Sequence, residues 1–271
     1  MNVIQAVILG IVQGLTEFLP VSSSGHLVLF QRLLGTPGNN LVFDVAVHLG
    51  TVMSILTIYH KLFFTFCKSS VQGIKENKMN QSLKLAWLII IASIPTGIIG
   101  LGLKDLFERL FENTTWVGIF FCVTGLVLFL TKNRSKDGNF SGKVTLDVVD
   151  KIKPKQALAM GIVQGLSIAP GISRSGSTIS TGIFVGIERN SAAMFSFVMS
   201  VPAILGAALL EIRKLNSLNP DMYIVLTAGL VTAYVFGLLG LWLILKVVSK
   251  GRLEIFSYYL WLLGPSLILW L

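Results

Sequence analysis

The sequence predicts an all-α integral membrane fold: six transmembrane helices plus two re-entrant helical hairpins, arranged as an inverted-topology repeat. Three observations carry this. Of 271 residues, 53% are hydrophobic and only 13% charged, where a soluble domain carries about 25% charge. Long stretches lack charge entirely. And one short motif occurs twice, 151 residues apart.

The uncharged stretches are Leu85–Leu103, Thr114–Thr131, Ser191–Leu210, Met222–Leu245 and Ile255–Leu271, and Leu41–Tyr59 joins them with only Asp44 and His48 as polar interruptions. Each is long enough to cross roughly 30 Å of hydrocarbon as a helix. No cleavable signal peptide is expected, because the first residues lack a basic region and Glu-Phe-Leu-Pro follows instead of a small-residue cleavage site. Cys67 and Cys122 show neither metal-ligand spacing nor a disulfide framework. The net charge of +9 reads as loop topology and not as a nucleic-acid surface.

The basic residues set that topology. Segments 60–84, 131–156 and 246–254 hold fifteen of the twenty-two Lys and Arg, whereas the loops at 104–113 and 211–221 hold only Lys104, Arg109, Arg213 and Lys214. By the positive-inside rule the rich set is cytoplasmic. Six crossings satisfy the alternation only if four shorter apolar pieces do not cross: Val3–Thr16 with Leu27–Leu34, and Ala157–Ile172 with Ser175–Ile187. Each pair reads as a hairpin that dips in and returns to its own side. The first enters from outside and the second from inside, with both termini outside.

The repeat supports this arrangement. Gly10-Ile-Val-Gln-Gly-Leu15 recurs as Gly161-Ile-Val-Gln-Gly-Leu166, Ser22-Ser-Ser-Gly25 aligns with Ser173-Arg-Ser-Gly176, and nine of the sixteen positions from Gly10 to Gly25 are identical. A single membrane domain over 1–271 follows, with repeat one at about 1–135 and repeat two at about 155–271. Such repeats bring broken segments together near the bilayer midplane.

Non-helical backbone at membrane depth is tolerated only inside protein or along a wet cavity, so the hairpin tips are the place to seek function. The first tip offers Glu17, Ser22, Ser23, Ser24 and His26; the second offers Ser173, Arg174, Ser175, Ser177 and Thr178. This inventory suits a phosphate group. A guanidinium matches phosphate oxygens in pairs, and broken helices aim N-terminal dipole ends at an anion. His26 is a candidate acid or base, a nearby hydroxyl a candidate nucleophile, and Glu17 a group to orient His26, hold a cation or take a proton. Other readings stand beside these. Ser22, Ser24, Ser175 and Ser177 also suit close packing, Glu17 and Arg174 also suit a structural ion pair, and Asp44 and His48 either line the cavity or satisfy each other. Glu188-Arg189 is expected to cap the helix that follows.

The run Gln13-Gly-Leu-Thr-Glu17-Phe-Leu-Pro20-Val-Ser-Ser-Ser-Gly-His26, together with Pro170-Gly-Ile-Ser-Arg174-Ser-Gly-Ser-Thr178, closely resembles the BacA-type undecaprenyl-diphosphate phosphatases over nearly the whole chain. The resemblance implies hydrolysis of undecaprenyl diphosphate to the monophosphate, which recycles the lipid carrier for cell-wall synthesis and is tied to bacitracin resistance. It implies a divalent cation, Mg or Ca, and a site in the bacterial plasma membrane opening to the outer face. Its functional residues fall on Glu17, Ser23, His26, Ser173, Arg174 and Thr178; by their position at the tips, Ser22 and Ser175 are also expected on the phosphate. The implied partners are a polyprenyl diphosphate lipid and membrane lipids, with a homodimer left open. Many members carry Glu where this chain has Gln13, so the metal position rests on Glu17 and an amide. Two attacking groups stay open, the Ser23 hydroxyl and a metal-activated water. The rival function is a lipid-phosphate flippase on the same scaffold, which needs the anion-binding groups but no nucleophile.

Overall fold

The computed structural model describes all residues except 37–40, 133, 135–145, 213–219 and 271. Lys136, Lys143, Arg213 and Lys214, which entered the charge count of the loops, lie outside the described residues. Every regular element among the described residues is helical: α1 Val3–Phe18, α2 Ser23–Leu33, α3 Leu41–Ile58, α4 His60–Lys75, α5 Gln81–Gly102, α6 Lys104–Phe111, α7 Thr114–Phe129, a 3₁₀ turn at Leu146–Lys151, α8 Pro154–Leu166, α9 Arg174–Phe184, α10 Arg189–Ile212, α11 Pro220–Ser249 and α12 Ile255–Trp270.

The six stretches read as crossings are α3, α5, α7, α10, α11 and α12. Among the described residues α5, α10 and α11 are individually long and apolar enough to span, whereas α12 is a shorter apolar helix. Helices α3 and α7 qualify together with bent neighbours, α4 turning 77° from α3 and α6 turning 104° from α7. Segments 60–84 and 104–113, expected as loops, are therefore largely helical. Their sequences are amphipathic: α4 exposes Phe64, Val71 and Ile74 beside Lys61, Lys68 and Lys75. A helix of that kind lies along an interface and does not cross it.

The hairpin arms are shifted from their expected limits. The second arms begin at Ser23 and Arg174, four and one residues before Leu27 and Ser175, because Ser22 and Ser173 are N-caps. The first arm of the second hairpin stops at Leu166 instead of running to Ile172. Gly171, at φ +95, and Pro170 hold the tip out of the helix.

Packing is reciprocal between the halves. Arm α1 lies mainly against α11, in the second half, and arm α8 lies mainly against α5, in the first; α7 pairs with α12, and α3 packs mainly on α11 with a smaller contact to α10. The duplicated glycines explain why. A Cβ on Gly10 or Gly14 would come within 2.7 Å of the Gly229 and Ala233 carbonyls, and one on Gly161 within 2.1 Å of the Ala92 carbonyl. Each Gly-x-x-x-Gly pair lets its arm press onto the other half's helix, the small-residue packing of membrane interiors. Arg189 is the first residue of α10. It reaches back to donate to the Thr131 and Arg134 carbonyls beyond α7, while Glu188 receives Lys151 and the Ser191 hydroxyl.

Candidate active site

Both second arms start at the same kind of turn. Ser22 and Ser173 sit at the N-caps of α2 and α9, their hydroxyls accepting from Gly25 N at 3.3 Å and Gly176 N at 3.1 Å. Ser23 and Arg174 are then the first helical residues, aligned at the repeat offset. The tips touch: the Ser175 hydroxyl donates to the Leu19 carbonyl at 3.3 Å, and Cα of Gly176 approaches so closely that a Cβ there would lie 3.0 Å from Pro20 Cβ. Two helix N-termini, each with unsatisfied N–H groups and the positive end of a dipole, thus meet in the protein interior.

Glu17 is the hub, only 6% exposed at the end of α1. One carboxylate oxygen is held by Arg174 Nη2 from the opposite hairpin. The other accepts from Ser23 Oγ at 2.6 Å and Gln13 Nε2 at 2.8 Å, with His48 Nε2 at 3.7 Å. A buried charge persists only when paired and hydrogen-bonded, and Glu17 has both. The ion pair exists, so what distinguishes a working site from a structural clasp is what remains unsatisfied. Among the described residues, two buried atoms at this point have no hydrogen-bond partner: Arg174 Nη1, a donor, and Gln13 Oε1, an acceptor. Buried polar atoms are nearly always satisfied, so each is a group still open to a partner of complementary charge.

The remaining predicted residues divide. Glu17, Ser23, Arg174 and Gln13 are brought together. His26 is not joined to Glu17: its Nδ1 donates to the Ser22 carbonyl at 2.8 Å and its Nε2 meets Tyr259 Oη at 2.7 Å, with the ring against Phe121 and Tyr259. It braces the Ser22 turn, where φ is +70. Thr178 Oγ1 donates to the Arg174 carbonyl at 2.7 Å and contacts Ser196 Oγ at 2.6 Å. Ser173 and Ser175 contact each other at 3.3 Å. These hydroxyls shape the turn that carries Arg174.

His48 belongs to the site, since it faces Glu17. Its Nδ1 donates to the main-chain carbonyl of Asp44 at 2.7 Å, and the Asp44 carboxylate accepts from Gln31 Nε2 at 3.0 Å; the two side chains do not satisfy each other. The lone imidazole in an otherwise apolar span was the signal for it. Tyr259 and Thr124, the latter accepting from Ser173 N at 3.1 Å and donating to the Gly171 carbonyl at 3.0 Å, carried no signal, being ordinary residues of apolar helices.

Fold and site together define a multi-pass membrane protein in which Glu17, Ser23 and Arg174 meet, buried, at the junction of two hairpins. The comparisons with known proteins place it more narrowly. The family described as "Bacitracin resistance protein BacA" matches residues 6–266, and the chain belongs to that family. It is 42% identical over 272 residues to an "Undecaprenyl-diphosphatase" of Carboxydothermus hydrogenoformans, covering 99% of this chain and 97% of the relative. It is 40% identical over 275 residues to one of Methanosphaera stadtmanae, covering 97% and 96%. It is 41% identical over 281 residues to one of Desulfosudis oleivorans, covering 100% and 99%.

Proposed function

We propose that the chain hydrolyses undecaprenyl diphosphate to undecaprenyl phosphate and inorganic phosphate, recycling the lipid carrier of cell-wall synthesis. One observation carries it: the Ser23 hydroxyl donates to Glu17 at 2.6 Å, beside a guanidinium with an unused donor. A hydroxyl bonded to a carboxylate is an activated nucleophile, and the unused donor with two helix N-termini is a receptor for phosphoryl oxygens.

The terminal phosphate binds at Arg174 Nη1 and the N-terminal amides of α2 and α9. Glu17 takes the proton of Ser23 as its oxygen forms a bond to the terminal phosphorus. The bond from that phosphorus to the bridging oxygen breaks, and undecaprenyl phosphate leaves. Water then adds to the phosphoserine phosphorus, the Ser23–phosphate bond opens, Ser23 recovers its proton from Glu17, and the protons of the water leave with the inorganic phosphate. Arg174 faces the charge that develops at each stage. His26 and Thr178 hold the two turns in register. A flippase needs the same receptor but has no use for the Ser23–Glu17 bond, and this favours hydrolysis.

A divalent cation fits the donors present. Gln13 Oε1 is a buried acceptor without a donor, and Glu17 lies beside it. Magnesium and calcium take oxygen ligands, magnesium commonly one or two carboxylates with the rest from substrate phosphates and water. Glu17 and Gln13 would hold it, and it would supply positive charge to the diphosphate oxygens. The site opens to the outer face of the bacterial plasma membrane, and both termini lie outside.

Purified protein in detergent should release phosphate from undecaprenyl diphosphate. Arg174→Ala and Glu17→Ala should each lower turnover by at least about a hundredfold, the usual cost of one charge-stabilising group. Wild-type turnover in either variant refutes the site. Transbilayer movement of intact lipid in vesicles, without phosphate release, would support the flippase instead.

A further inference from the structure

We propose that His48 is a nitrogen ligand of a divalent-metal site formed with Glu17 and Gln13, so that the site accepts a first-row transition ion such as Mn²⁺ as well as Mg²⁺ and Ca²⁺. The inference deepens the reading above and rests on it only in placing the diphosphate at the same point.

The hydrogen bonds of His48 fix its tautomer. Nδ1 stands 2.7 Å from the Asp44 main-chain oxygen, and a carbonyl only accepts, so Nδ1 carries the proton. Nε2 then presents its lone pair to Glu17 Oε2, 3.7 Å away. Two electron-rich atoms facing each other across that gap repel unless something positive lies between them. A proton on Nε2 would draw the ring to hydrogen-bond distance, about 2.8 Å for such a charged pair, and Glu17 already has a cationic partner in Arg174. An ion bonded to both is the other solution. Donors about 2.1 Å from one ion can be at most about 4.2 Å apart, and 3.7 Å falls inside that limit.

Two further features agree. Metal-bound imidazoles characteristically donate their other N–H to a main-chain carbonyl or carboxylate, which fixes the ring's orientation; His48 does this through Asp44. Gln13, whose amide nitrogen is bonded to Glu17 at 2.8 Å, keeps its oxygen unpartnered nearby. Glu17, Gln13 and His48 make a one-carboxylate, one-amide, one-imidazole set. Among the described residues no cluster of three His, Cys, Asp or Glu exists; the set is complete only when the amide is counted. With a single negative charge it leaves coordination positions for phosphoryl oxygens or water. An imidazole donor favours first-row transition ions over Mg²⁺ and Ca²⁺, and Mn²⁺ is the member of that series suited to the oxygen donors beside it.

The test uses the full-length protein in detergent, stripped with chelator and titrated with Mn²⁺ alone, without lipid. Electron paramagnetic resonance reads the bound fraction, and electron spin-echo modulation reads ¹⁴N coupling from a ligating imidazole. Wild type should bind one Mn²⁺ with a ¹⁴N signal. His48→Gln should abolish that signal and weaken binding by about tenfold or more, no less than loss of an outer-shell partner costs. His60→Gln should change neither, because His60 is exposed and bonded to the Thr57 carbonyl. The proposal is overturned if wild type binds no Mn²⁺, binds it without ¹⁴N coupling, or keeps the coupling in His48→Gln. The wild-type measurement stands even if the variant misfolds. Since no substrate is present, failure of the phosphatase reading leaves this result intact, and the reverse also holds.

Discussion

Replacing Arg174 by Met leaves the Glu17 carboxylate buried without its cation. Glu17 is 4% exposed at its side chain and Arg174 16%, so water screens little of the pair. Breaking a buried pair from one side costs about 3–5 kcal/mol, and the slight exposure of Arg174 places this case near the lower end, about 3 kcal/mol. Glu17→Gln is milder, since the amide can still accept from the guanidinium and from Ser23; about 1–2 kcal/mol is expected, the range of a lost charge-assisted bond. The double variant removes both charges, and its loss should fall below that of Arg174→Met alone. A chain of this size shifts by about 2–4 °C per kcal/mol. Arg174→Met should therefore melt about 6–12 °C below wild type in detergent, and the double variant should recover at least half of that. Phosphate release should be lost in all three. Recovery of stability without recovery of turnover separates the ion pair's two roles. If the double variant melts lower than either single one, by the sum of their effects, the pair is not coupled and the geometry at the hairpin junction is wrong.

Other expectations follow from single contacts. Ser23→Ala should reduce phosphate release by about a thousandfold or more, as losing an activated nucleophile does, whereas Ser24→Ala, which loses only a 3.2 Å contact to Ser22, should stay within about threefold; equal losses would remove Ser23 from the reaction. Gly161→Ala should lower the melting temperature sharply, because its Cβ would sit 2.1 Å from the Ala92 carbonyl, whereas Gly97→Ala, with nothing within 4 Å, should be neutral or stabilising by up to about 1 kcal/mol through helix propensity. Asp150 is held below its usual carboxylate value by Gln81 at 2.7 Å and Lys84 at 3.2 Å. A lowered folded value gives stability above the unfolded value that is lost as pH falls through the folded one. Asp150→Asn should therefore lower the melting temperature at pH 7 and lose its effect in acid, as pH falls below the ordinary aspartate value of about 3.9; a pH-independent difference would contradict the pairing.

The parts of this structure that could be read from sequence are those where local chemistry decides. Short apolar arms ending in Glu17-Phe-Leu-Pro20 and Pro170-Gly-Ile-Ser173 cannot span, and the duplicated motif tied the two hairpins together. Glu17 and Arg174 stood out because charge in an apolar segment needs a reason. The starts of α2 and α9 were less legible. A Ser-Gly run looks like a break, yet its first serine is an N-cap, so the helix begins inside the run. Helices α4 and α6 were hidden by their charge, which marks a loop unless the exposed apolar stripe beside it is weighed. Convergence was the least legible of all. His48 meets Glu17 only through the register of α3 against α1, and Tyr259 meets His26 across 233 residues; neither spacing carries a signal.

The two hairpins show which positions the scaffold fixes and which the chemistry changed. Gly10 and Gly161, Gly14 and Gly165, and the caps Ser22 and Ser173 are identical because each pair solves the same local problem, close approach to a helix or closure of an N-terminus. Gln13 and Gln164 are identical in type but not in use. Gln13 bonds Glu17, whereas Gln164 bonds the Thr96 hydroxyl at 3.3 Å, because the position four residues on is Glu17 in one arm and Ile168 in the other. Ser23 and Arg174 are the sharper case. Both are the first residue of a helix entering the same junction, so the duplicated backbone delivers two side chains to one place from opposite directions. Two arginines there would repel and leave no hydroxyl, and two serines would leave Glu17 without a cation. One of each, sharing Glu17, brings a hydroxyl and a guanidinium to one carboxylate from one repeated turn.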